Sequence, residues 1–113
     1  MNYTNAIDGD ILRLVFSGDL IGENNGPDLV ELVNDALNQN VKTCLINITD
    51  VRYINSSGIG VLITILTKFR NKSGELYLIN PSEHVQKLLI ITKLQAIFNI
   101  VKTEEEALSK ISK

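Results

Sequence analysis

Residues 45–63 read LINITDVRYINSSGIGVLI. The passage begins in a short apolar run, residues 42–48 (KTCLINI), which suits an inner strand. Asp50 is expected to close that strand. From about Gly58 to Arg70 the spacing changes to that of a helix. Val61, Leu62, Ile65, Leu66 and Phe69 fall on one side, and Gly60, Thr64, Thr67 and Lys68 on the other. Ile59 and Ile63 fall at the border between the two. A strand that runs through a short polar loop into an amphipathic helix is the unit of an α/β sheet.

The flanking sequence repeats that unit. Residues 3–7 and 11–17 read as two strands around Asp8-Gly9-Asp10, a strong hairpin signal. Residues 18–27 (GDLIGENNGP) are turn-rich and are expected to form a loop. A helix is then expected from Pro27, with Asp28 at its positive end. Its apolar face is Leu29, Val30, Val33, Ala36 and Leu37, and its polar face is Glu31, Asn34, Asp35 and Asn38. Residues 75–79 (ELYLI) form a strand and Pro81-Ser82-Glu83 opens a third helix. Residues 97–101 (IFNIV) form the last strand. Thr103 and Glu106 have the spacing of a capping box ahead of Ala107, Leu108 and Ile111. The expected order is β-β-α-β-α-β-α-β-α. This is an α/β domain spanning residues 1–113, with a mixed sheet of about five strands and about four helices.

Composition narrows the function. The formal net charge is -2, without the basic surplus of a nucleic-acid binder. The single cysteine, Cys44, allows no internal disulfide or cysteine metal cluster, and its apolar setting reads as a buried thiol. No metal-ligand spacing is present and no cofactor is implied. No apolar run is long enough to span a bilayer, and residues 1–10 lack a signal-peptide pattern. A soluble, cytoplasmic domain is expected.

The two adjacent serines lie where the helix begins. A serine is a preferred N-cap, contributing roughly 1 kcal/mol, which accounts for either Ser56 or Ser57 but not for both. A phosphoryl group at a helix N-terminus is compatible with the fold, yet it adds about -2 charge to the surface. Modification of Ser56 or Ser57 would therefore change a docking face without unfolding the domain, and Ile59 and Ile63 would supply that face with apolar contact.

Three stretches resemble the STAS domain family, which includes bacterial anti-sigma factor antagonists and the cytoplasmic domains of sulfate transporters. They are FSGDL (16–20), the central LINITDVRYINSSGIGVLI (45–63), and LIITKLQAIFNIVKTEEEAL (89–108). The likeness covers nearly the whole chain in the right order. It implies an anti-anti-sigma factor that works by partner switching. The unmodified domain would bind an anti-sigma factor that is also a serine kinase, and so release a sigma factor for transcription. Phosphorylation would end the complex, and a serine phosphatase would reset it. The resemblance implies Ser57, directly before Gly58, as phosphoacceptor, with Ser56 as the alternative. It places Asp19, Asp50, Asn55, Ser56, Ser57, Gly58, Ile59 and Ile63 in the partner-binding surface. Two residues depart from the family pattern. Asn55 replaces the usual acid before the serines and keeps turn geometry without the charge, and Lys93 stands where a glycine is usual.

Other readings fare less well. A phosphorylation receiver would need paired acids after its first strand, but Asp8 and Asp10 bracket a hairpin turn. A serine enzyme would need a base, and the one histidine, His84, reads as a surface residue of the third helix. The sequence is not G-x-S-x-G, a dinucleotide fingerprint or a P-loop. A non-switching STAS scaffold subunit of a larger signalling complex is the alternative within the same family.

Overall fold

The structure, a computed structural model, describes residues 2–111, and only the backbone of residues 22–25. Strand β1 (Asn2–Asp8) turns through Gly9 and Asp10 into β2 (Ile11–Leu20). The tight turn is possible because Gly9 adopts φ +64°, a region that L side chains rarely enter. Helix α1 (Gly22–Asn38), β3 (Thr43–Ile54), α2 (Ser56–Asn71), β4 (Glu75–Ile79) and α3 (Glu83–Ile91) follow. A 3₁₀ turn at Leu94–Ala96, β5 (Asn99–Val101) and α4 (Glu104–Ile111) complete the described chain.

The sheet order is β1-β2-β3-β4-β5. β1 and β2 are antiparallel, and every later pairing is parallel. Each parallel crossover moves one strand in the same direction, so the right-handed rule places α1, α2 and α3 on one face. The packing agrees. Leu29 and Val33 of α1, Leu62 and Ile65 of α2, and Val85 and Leu89 of α3 share one core with Leu12, Leu14, Ile46 and Leu78. Alternate residues of the same strands point the other way. Leu45, Tyr77, Ile79 and Val101 form a smaller core there with Ala107 of α4.

Four expectations about local structure are corrected. Residues 18–27 are not a loop, because β2 continues to the fully buried Leu20 and α1 begins at Gly22. Pro27 lies inside that helix and does not start it. Gly26, which reads as a turn signal, is a helix–helix contact, since a Cβ there would lie 3.0 Å from Val61 Cγ2. Secondly, Asp50 does not close the third strand, which runs on to Ile54 because Val51 and Ile54 are buried and β2 pairs with it as far as Leu20. Thirdly, the last strand is only Asn99–Val101, because the N–H groups of Ile97 and Phe98 donate back to the Leu94 carbonyl of the 3₁₀ turn. Fourthly, α2 begins at Ser56, ahead of the expected start at about Gly58, because its N-cap is Asn55.

The expected hairpin and capping box are present. The Glu106 N–H donates to Thr103 Oγ1 (3.1 Å), and Glu106 Oε2 accepts from the Lys102 N–H (3.0 Å). Lys93 adopts φ +63°.

Candidate functional site

The ends of β2 and β3 and the first turn of α2 meet at one end of the domain. Leu20 lies opposite Ile54 in the parallel ladder, and the Asn55 N–H donates to the Leu20 carbonyl (3.2 Å). This bond fixes the chain as it leaves the sheet. The Asn55 backbone is extended (φ -89°, ψ 177°), and its side-chain oxygen accepts from the Gly58 N–H at 2.7 Å. Asn55 is therefore the cap, and it satisfies an otherwise orphan donor. Ser56 and Ser57 are the first two residues of the helix. The carboxamide performs the capping for which a carboxylate would also serve, but without negative charge. The first turn of α2 contains no acidic residue.

Ser56 is exposed and Ser57 is half-buried. Gly58 is buried beneath them. A Cβ on it would lie 2.3 Å from the Leu20 carbonyl oxygen and 3.0 Å from Ile54 Cγ2. Only glycine lets the first turn of α2 sit this close to the end of β2. Gly60 differs, since a Cβ there would meet nothing within 4 Å. A glycine in a helix interior costs roughly 0.5–1 kcal/mol relative to alanine, and no crowding explains this one. Its consequence is a flat, open patch one turn beyond the serines. Ile59 and Ile63 flank that patch, partly buried against the core.

Asp19 and Asp50 occupy different places. Asp19 lies beside Tyr53 in the ladder, close to the helix start, and pairs with Arg52 at 3.4 Å. Asp50 is exposed opposite Ser17, four residues before the end of β3, or about 13 Å back along the strand. The structure thus brings together Asp19, Asn55, Ser56, Ser57, Gly58, Ile59 and Ile63, and sets Asp50 apart. It adds two neighbours that the sequence reading passed over. Arg52 neutralises Asp19, and the exposed ring of Tyr53 lies 6.3 Å from that of His84 on α3. An exposed aromatic immediately ahead of the serines was the available signal. His84 is exposed, as expected.

Among the described residues, no group of His, Cys, Asp and Glu could hold a metal ion. Among the same residues, no helix is long and apolar enough to cross a membrane. Cys44 is fully buried, and burial pushes its thiol pKa well up, so the neutral form is retained.

The strand order, the helix faces and the serine-bearing first turn define a domain whose site residues gather on one end of the surface. The STAS domain family model matches residues 3–107, and the chain belongs to that family. A relative from Thermotoga neapolitana, named as an anti-sigma factor antagonist homologue, is 33% identical over 78 residues, which is 69% of each chain. The crystal structure of a Thermotoga maritima protein, also named as an anti-sigma factor antagonist, superposes with a TM-score of 0.87 at 28% identity, covering 98% of this chain and 95% of that one. The Bacillus antagonist SpoIIAA shares the fold in its unphosphorylated form (TM-score 0.75, 19% identity, 98% of each chain). It does so in its phosphorylated form as well (TM-score 0.77, 20% identity, 97% of this chain and 99% of that one). The chain is thus a STAS protein of the anti-sigma factor antagonist type, a binding protein and not an enzyme.

Proposed function

We propose that this chain is a cytoplasmic phosphoswitch. In its unmodified form it binds an anti-sigma factor that carries serine kinase activity, and a sigma factor is released. The kinase transfers a phosphoryl group to Ser57, or to Ser56, and the complex dissociates. A serine phosphatase restores the binding form.

One observation carries this reading. Two hydroxyls lie in the first turn of a helix that has no acid of its own, beside an open glycine and two border isoleucines. Asn55 accepts the Gly58 N–H, so the N-cap of α2 does not depend on either serine. A phosphoryl group there adds about -2 charge to a surface where Asp19 is already balanced by Arg52. The positive end of α2 tolerates that charge, so folding survives while the docking face changes sign. SpoIIAA, which shares the fold, occurs in both phosphorylation states, and this supports the same tolerance here.

The test is incubation with the cognate kinase and ATP, followed by peptide mass spectrometry. Modification of Ser56 or Ser57 is the expected result. A chain that binds its anti-sigma factor yet gains no phosphate on either serine would overturn the switch.

A further inference from the structure

A second surface lies away from the serines. The hairpin register places Asn2 opposite Ser17, near the serine end, and Ile7 opposite Leu12, toward the other end. There α1 and β1 enclose an open groove of about 410 Å³, whose sides include Asn5 and Ile7 of β1 and Asp28, Glu31 and Asp35 of α1. Its floor is apolar. Leu12, Leu32 and Ala36 line it, and Ile7 is 44% exposed.

The charge on the rim is of one sign. From Gly26 to Asn38, α1 carries Asp28, Glu31 and Asp35 and no Lys or Arg. All three acids are exposed. They are spaced i, i+3 and i+7, so they share one face over about 10 Å of helix.

The strand beside the groove has an open edge. β1 is the outermost strand, and its seven residues pair with β2 without a bulge. Proteins usually blunt such edges with lysine, proline, a bulge or a very short strand. The segment NYTNAID has none of these, and its one charge is the terminal Asp8. The opposite edge, β5, has only three residues.

From these features we infer that β1 accepts an extended, basic segment of a partner protein as a sixth strand. Backbone hydrogen bonds along β1 would hold the segment. Side chains at alternate positions would point toward α1. Lysine or arginine suits those positions, because the stems cover Ile7 and Leu32 while the heads reach the three carboxylates. Two or three such side chains, about 6.6 Å apart on a strand, match the span of the acids. The opposite face of the segment stays in water and takes small polar residues. Because the groove is remote from the first turn of α2, occupancy does not depend on the state of the serines.

The test uses the full chain and two fluorescein-labelled nine-residue peptides of identical charge. In one, lysine and threonine alternate; in the other, the lysines form a block. The alternating peptide is expected to bind saturably and at least about fivefold more tightly than the block. Its affinity should drop about tenfold in a D28N/E31Q/D35N variant and be unchanged in Ser57→Asp. On binding, amides of β1 should gain protection from hydrogen exchange. Equal affinity for the two peptides would reduce the effect to charge attraction and overturn the proposal. So would an unaffected triple variant, or a β1 edge already protected by a second copy of the chain in a sedimenting dimer.

Discussion

Substituting Gly58 by alanine tests whether the first turn of α2 is held against the end of β2 as tightly as the structure indicates. The added Cβ would lie 2.3 Å from the Leu20 carbonyl oxygen, and 3.0 Å from both Ile54 Cγ2 and Leu20 Cγ. The two side chains could yield by a few tenths of an ångström, but the carbonyl belongs to backbone. It also accepts the Asn55 N–H at 3.2 Å, so moving it weakens the bond that delivers the chain into α2. Overpacking of this kind costs about 1–3 kcal/mol, and a weakened hydrogen bond adds about 1 kcal/mol. The gain in helix propensity on replacing glycine offsets roughly 1 kcal/mol. The net expectation is a destabilisation of about 2 kcal/mol, read as a lower urea midpoint at unchanged slope. Gly60→Ala is the internal control. Its Cβ meets nothing within 4 Å, so the same propensity term acts alone and should stabilise by about 0.5–1 kcal/mol. If Gly58→Ala were as stable as the wild type, the close approach of α2 to β2 would be wrong, and with it the placement of the serines.

Further outcomes follow from the same geometry. Gly60→Ala, although more stable, should bind the anti-sigma factor several-fold more weakly, because a methyl now stands on the flat patch; titration calorimetry reads this directly. Asn55→Ala should lose about 1 kcal/mol of stability with the cap, whereas Asn55→Asp should retain it. Lys93 holds a left-handed conformation that costs a side-chain residue roughly 1–2 kcal/mol, so Lys93→Gly should raise stability by up to about 1 kcal/mol in chemical denaturation. Burial raises the Cys44 thiol pKa above its ordinary 9.0, so the folded state stays neutral while the unfolded state ionises. Stability contributed by that group is complete below about pH 9 and falls as pH rises beyond it, by up to about 1.4 kcal/mol per unit. Cys44→Ala should flatten that slope in alkaline unfolding curves.

Much of the fold could be read from the chain because its signals are local and redundant. The Asp8-Gly9 turn, the 58–70 helical period and the Thr103–Glu106 box each specify their own element. The misreadings occurred where tertiary contact outweighed a local signal. Gly26 and Pro27 look like turn residues, yet the glycine serves the approach of α1 to α2. Asp50 looks like a strand end, yet buried Val51 and Ile54 carry β3 past it. The site was legible as a position and less so as a mechanism of capping. Serine is as good a cap as asparagine, so sequence alone could not say that Asn55 takes the Gly58 N–H. The Arg52–Asp19 pair was hidden because it joins residues 33 positions apart through the β2–β3 register.

The most direct measurement is the dissociation constant for the anti-sigma factor of four proteins: wild type, Ser57→Ala, Ser57→Asp and Ser56→Asp, each first shown to have the wild-type unfolding midpoint. The alanine variant is expected to keep wild-type affinity, and an aspartate at the acceptor position to lose at least about tenfold. Aspartate variants that fold and bind as tightly as the wild type would contradict the claim that charge at the start of α2 governs release of the partner.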